Sequence, residues 1–343
     1  MKAVSHKCPN CSADLKYNPK VKNWKCEYCA SVFSLDELKK NEEKFSNSEV
    51  KNNSLDVDEY HCQGCGARIV ADHNTAATFC VYCKNTAILK GRLTDKFSPS
   101  KVIPFSKNKD DAIVAFKNLC KDKFLLPSEF SDSKNIKELT GIYIPFWLYS
   151  CNLDSHVKGT GKKIKSWISG DYRYEKIDLY GVERSGNFTF ENIPIDGSVR
   201  FNDAIMNSIE PFDYSALQDF SPSYLAGFLA EKYDVESSEA KKYSIDRARQ
   251  SSYSNLISKT YMYNSFVPIE KEANITNEDI KYVLLPVWMV NIKYNEKIYT
   301  FAMNGQTGKM IGDLPYSKGK AFLLWLAIFI ICMIVIGLIT WFI

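Results

Sequence analysis

Histidine is scarce in this chain, with four residues in 343, and none of them forms a His-Glu-x-x-His pair, so a zincin-type catalytic metal centre has no ligands. The phosphate-loop pattern Gly-x-x-x-x-Gly-Lys-[Ser/Thr] is missing too. The nearest strings, KGTGKK from 158 and NGQTGK from 304, have the wrong spacing and read as hairpin turns. No Gly-x-Ser-x-Gly elbow is present. Glu175, Asp178 and Glu183 lie in a mixed-sign segment and read as charges on a solvated strand pair rather than as paired catalytic carboxylates. Charge of one sign is also lacking. Lysine and arginine number 44 against 40 acids, a formal net charge of +4, which argues against a broad nucleic-acid-binding surface. No apolar run precedes the first cysteine, so no signal peptide is read and the folded part is expected in the cytoplasm. Nothing here proposes a reaction, and the chain is expected not to be an enzyme.

Cysteine, by contrast, is patterned. Of eleven cysteines, eight fall into four C-x-x-C pairs, while Cys120, Cys151 and Cys332 stand apart in apolar surroundings. Cys8, Cys11, Cys26 and Cys29 recur 54 residues later as Cys62, Cys65, Cys80 and Cys83, with fourteen residues inside each quartet. That spacing suits two knuckles joined by a short hairpin, each supplying two thiolates to a tetrahedral zinc ion. Two structural Zn2+ ions are therefore expected, with disulfides or an iron-sulfur cluster as the alternatives. Four thiolates leave no open position for catalysis. Trp24 and Phe79 precede the second knuckles, where an aromatic can cover the metal, and His6 and His61 precede the first, as alternative ligands or exposed side chains. The polar stretch between the modules reads as a flexible tether that lets them move independently.

From Phe97 the chain becomes rich in aromatics. Ile113, Phe116, Leu119 and Cys120 give helical spacing over 110–123. From Gly141 to about Phe190, β-branched and aromatic residues broken by GTGKK, SGD and RSGN predict hairpins. A second helical stretch is expected over 223–258, including YLAGFLAEKY, and strands return in YVLLPVWMVNIKYN and KIYTFAMNGQTGKMIG, around turns at Asn295 and Gly305. GIYIPFWLY and LLPVWMVNIKY share an apolar-Pro-x-Trp core, Pro145 and Trp147 matching Pro286 and Trp288, which suggests two related β units separated by helices. Phe146, Trp147, Trp288 and Tyr294 read as core, with a peptide or lipid groove as the other possibility.

Residues 321–343 hold no charged side chain, and 23 residues at about 1.5 Å each reach about 34 Å, enough for a hydrocarbon layer of about 30 Å. Trp325 and Trp341 near its ends suit the two interfaces, and Lys318 and Lys320 mark the cytoplasmic flank. The position predicts a tail-anchored protein with its bulk facing inward.

The two quartets, KVIPFSKNKDDAIVAFKNLCKDKFLLPSEF, GIYIPFWLY, LLPVWMVNIKY, FAMNGQTGKMIGDLP and the closing helix together resemble the bacterial tail-anchored tandem zinc-ribbon proteins of the YdjG-like type, sometimes labelled TFIIB-type zinc-ribbon or primosomal-helicase-like. The resemblance covers nearly the whole chain. It implies an envelope-stress role beside phage-shock-protein-A and SPFH-domain partners at the bilayer, while the helicase label finds no motor motif here. The architecture expected is multidomain α+β. It comprises a first ribbon (1–45), a linker (46–58), a second ribbon (59–96), a central α+β region with two antiparallel β units around a helical segment (97–318), and a transmembrane anchor (319–343). The function expected is a membrane scaffold that recruits cytosolic proteins, and the alternative is a membrane-bound nucleic-acid-binding regulator.

Overall fold

The computed structural model describes residues 6–38, 40, 99–127, 130, 139–199, 203–295 and 297–342, together with the backbone of 57–62, 68–72 and 88–91. The chain opens with β1 (His6–Lys7), β2 (Asp14–Asn18), β3 (Asn23–Cys26) and β4 (Val32–Phe33), a four-stranded sheet in sequential antiparallel order. Then come β5 (Val57–Cys62), β6 (Arg68–Asp72), β7 (Ile88–Gly91) and β8 (Lys101–Val102), followed by helix α1 (Lys109–Cys120). Asn108 caps α1 reciprocally with Asp111, each side chain accepting the other's backbone N–H at 2.9 Å. The helix stops three residues short of its expected end, because Lys121 turns extended and Asp122 takes a φ of 59°.

Two very long strands follow, β9 (Thr140–Ser169) and β10 (Tyr172–Asp196). After them run α2 (Asp203–Ile209), β11 (Gln218–Asp219), β12 (Leu229–Glu231) and α3 (Ser237–Ser258). The chain closes with β13 (Ser265–Tyr294), β14 (Lys297–Asn304), β15 (Met310–Gly312) and α4 (Lys318–Phe342). Strands β5 to β15 form one eleven-stranded sheet whose axis is the antiparallel β9–β13 pair.

The segments that echo each other in sequence are neighbours in this sheet, not separate units: Pro145 faces Leu284 and Pro286 faces Tyr143. Opposed residues share a face, so the odd positions of β9 and the even positions of β13 form one side. Tyr143, Trp147, Tyr282, Leu284 and Trp288 belong to one buried cluster, and Ile142, Ile144, Phe146, Leu148, Val283, Leu285 and Val287 to another. Both faces are covered, which is why the segments are apolar without alternation. Phe146, Trp147 and Trp288 are core rather than groove, and Tyr294 lies half-buried at the sheet's end.

Three further expectations change. GTGKK and RSGN lie inside β9 and β10, where only Gly170–Asp171 turns the chain. Glycine is needed at 159 and 161 for close approach: a Cβ at Gly159 would come within 2.6 Å of the Phe266 ring, and one at Gly161 within 2.7 Å of Tyr263. YLAGFLAEKY is not helical. Its start is a 3-10 turn (Pro222–Leu225), Gly227 takes a φ of 92°, and β12 inserts between β9 and β6. Leu229, Ala230 and Glu231 are all buried in succession, as suits a strand between two partners rather than a one-faced helix. Finally, β13 begins at Ser265, seventeen residues before the apolar run that announced it, because its first half alternates and half-buries only one side.

Helix α3 lies across β9 and β10 through Ala240, Ser244, Ala248, Ser252 and Leu256, a buried row at every fourth position. Its small members let the helix approach the sheet, and Ser252 meets Ser155 hydroxyl to hydroxyl at 2.8 Å. Both strands that flank β9 carry a register shift there, with Asn192 and Asn277 at positive φ opposite Ser150–Asn152. Past Lys162, which faces Ser265, the sheet narrows to a two-stranded arm of β9 and β10. From Thr140 to the arm tip the strand has 30 residues, a contour of about 100 Å at ~3.3 Å each.

Helix α4 is long and apolar enough to cross a membrane, and none of it is buried against the body. It leaves from the opposite end of the sheet to the arm. The Ser317 N–H donates to the Leu125 carbonyl at 2.8 Å and Lys320 Nζ to the Leu126 carbonyl at 2.7 Å. Nearby, Phe130 sits edge-on to Tyr294 and Tyr299 beside the β13–β14 turn.

Gly159→Ala should lower stability by roughly 1 to 3 kcal/mol, because the new methyl meets the Val267 carbonyl, which the ladder holds in place. A lower denaturation midpoint for the detergent-solubilised chain is the expected reading.

Candidate metal centre

The four-stranded sheet is built around two turns of the same design. In each, the backbone N–H of the leading cysteine donates to the carbonyl five residues on, Cys8 to Ala13 at 2.7 Å and Cys26 to Ser31 at 2.8 Å. The residue after the second cysteine takes the left-handed conformation, Ser12 and Ala30 both at a φ of 59°. These matched bends turn both cysteine pairs inward, and the β2–β3 hairpin holds the turns together.

The ligand atoms of Cys8, Cys11, Cys26 and Cys29 all lie within 4.8 Å of one another. Sulfur pairs across the two turns stand at 3.6 Å (Cys8–Cys29) and 3.5 Å (Cys11–Cys26). A tetrahedral ion with bonds of about 2.3 Å to sulfur needs sulfurs about 3.8 Å apart, so this cage fits such an ion with little movement. This group of four could hold a metal ion. Of the second quartet, Cys62 ends β5 with its side chain outside the described residues, and Cys65, Cys80 and Cys83 lie outside them, as do Phe79, the 46–56 part of the tether and the side chains of His6 and His61.

The thiols are unequal. The Ser31 hydroxyl and backbone N–H lower Cys29 to about 6. At Cys11 the Ala13 backbone N–H pulls downward, but burial and the three neighbouring sulfurs outweigh it and hold the thiol at about 12. Ser31, whose hydroxyl lies 3.2 Å from Cys29 Sγ and accepts from Asn10 Nδ2 at 3.0 Å, escaped the sequence reading. Its signal would have been a serine two residues after a knuckle.

The sheet around these cysteines does not swing on a tether. Its inner face is fused into the main core: Cys8, Leu15, Tyr17, Trp24, Cys26 and Phe33 share a buried cluster with Phe105, Tyr143 and Trp288. Trp24, 1% exposed, works as the dowel of this joint. Its indole N–H donates to the Ser223 carbonyl at 2.6 Å, and its ring tilts against Tyr17 and Tyr224. Trp24 therefore reaches across the module boundary. The second module is joined as well, through β6 against β12.

Other grouped side chains are ordinary surface chemistry. Glu183 Oε1 lies 2.6 Å from His156 Nε2 and 3.6 Å from Lys158, Asp178 pairs with Lys176 at 3.1 Å, and Glu175 is exposed. An open cavity of about 550 Å³ lies between β10, α2 and α3, lined by Phe146, Met206, Glu210, Tyr243 and Arg247 among others. Burial raises the Glu210 carboxyl against the pull of Arg247 and Lys309.

No protein-family model and no solved structure matches the chain. A Bacillus subtilis (strain 168) protein named Uncharacterized protein YdjG is 36% identical over 323 residues, and the match spans 92% of each chain. The chain belongs to the YdjG-like family. The name of this relative carries no activity to transfer.

Two predictions test the centre. Cys26→Ser should bind one metal ion fewer per chain than the parent, as read by elemental analysis under reducing conditions. Ligation must also displace the proton that Cys11 holds, so metal affinity should rise with pH and fall as pH drops toward about 6, where Cys29 too becomes protonated. Chelator competition across that range reads it.

Proposed function

We propose that this YdjG-like chain is a non-enzymatic, membrane-anchored scaffold. Cys8, Cys11, Cys26 and Cys29 hold a structural zinc ion, and Cys62, Cys65, Cys80 and Cys83 hold a second. Helix α4 crosses the bilayer as a tail anchor, the body faces the cytoplasm, and the body recruits cytosolic proteins in an envelope-stress setting of the kind the family resemblance implies. Fixing a binding surface to the bilayer raises its effective concentration for partners there without any new contact.

The observation that carries this reading is the pair of exposed apolar surfaces at opposite ends of one sheet. At one end is α4. At the other, the arm exposes Trp167 (50%), Ile168 (77%), Tyr172, Ile177 and Leu179. A two-stranded hairpin is marginal in water, and so much exposed apolar surface on it marks an interaction site. Lys162, Lys163, Lys165, Arg173 and Lys176 outnumber Asp171, Glu175 and Asp178 on the arm, which favours a partner with an acidic surface.

One feature favours a nucleic-acid-binding regulator instead. Lys163, Lys165, Trp167, Tyr174 and Lys176 share a face of the arm with one acid, Asp178, and the Trp167 and Tyr174 rings stack at 5.7 Å, a mixture that single strands use for stacking and charge. The two readings separate on a variant carrying Trp167→Ser, Ile168→Ser and Tyr174→Ser. A scaffold should stay in carbonate-washed membranes and keep its metal while losing its crosslinked protein partners. Tight, steeply salt-dependent binding of single-stranded DNA or RNA by the parent, with no protein recovered, would reverse the preference.

A further inference from the structure

We propose that the turn after α1, with the residues leading into α4, forms a foot that seats the body on an anionic lipid surface. This inference rests on the reading of α4 as a membrane anchor and goes one step beyond it. An anchor on a free linker would let the body swing. Here the two hydrogen bonds from Ser317 and Lys320 to the carbonyls of Leu125 and Leu126 tie the first turn of α4 to the chain just after α1. Leu126 and Pro127 are buried, so that chain is itself fixed to the core. The residues flanking these bonds therefore sit at the level where the helix departs.

What they present is suited to headgroups. Phe124 and Tyr316 are each 64% exposed, an apolar ring and an amphipathic one beside the exit of the helix. Lys121, Lys123 and Lys318 are exposed around them, with Lys320 partly engaged by its carbonyl. Asp122 and Asp313 reduce this positive charge without reversing it. Aromatic rings prefer the interface between water and hydrocarbon, and lysines near an anionic leaflet are drawn to it. A bilayer fits better than a protein because the patch is continuous with the point where α4 enters lipid, so whatever covers it must share that plane.

The test uses the full chain in vesicles of phosphatidylcholine alone or with about a third phosphatidylglycerol. Lysines are labelled with an amine-reactive reagent and read by mass spectrometry. Labelling of Lys121 and Lys123 should be roughly fivefold slower in the anionic vesicles, while exposed Lys165 on the distant arm is unchanged. In Phe124→Ser, which keeps every lysine, the protection should fall roughly by half. Equal labelling of Lys121 and Lys123 in both vesicles, with the chain still resisting carbonate, would overturn the foot and leave the anchor standing. Release by carbonate would overturn the anchor reading itself.

Discussion

Everything in this molecule is referred to the antiparallel register of β9 and β13, in which the apolar runs 142–148 and 282–290 lie side by side. Each run is covered on both faces, by the aromatic cluster on one side and the aliphatic cluster on the other. At roughly 1.5 to 3 kcal/mol for each large apolar side chain buried, a shift of one residue would exchange the two faces and lose much of that stabilisation. The register therefore fixes where the long strands end, and with them the positions of the arm at one end and α4 at the other.

The cysteine-rich sheet shares in the same core. Its cage of sulfurs is a local matter of two matched turns, but the face behind the cage is completed by Trp24, Tyr17 and the Ser223 carbonyl. Because neither the sheet nor the central region closes its own core along this joint, the ligation state of the thiols and the packing of the body are thermodynamically linked.

Local features were legible in the sequence and long-range ones were not. Fourteen-residue spacing located the cluster of Cys8, Cys11, Cys26 and Cys29, and the capping pair Asn108–Asp111 opens a helix whose apolar period was clear. The uniform run after Lys320 announced α4. The length of β9 and β10 was hidden, because Gly159, Gly161 and Gly186 look like turn residues, whereas all three lie within the ladder and other side chains crowd it at Gly159 and Gly161. The half-exposed first half of β13 has little apolar signal, since its pairing with β9 supplies the order that its composition does not. The cross-module role of Trp24 depends on a carbonyl 199 positions away, which no local pattern encodes.

The two bulges at Asn192 and Asn277 meet β9 at the same level, on either side. Below that level the sheet is clamped by side chains on both faces; above it lie about twenty residues of strand, a lever of about 66 Å at ~3.3 Å per residue. A rotation of one degree at those paired kinks sweeps the tip by about 1 Å, so the angle set by two asparagines decides which volume of the surroundings the far end can search.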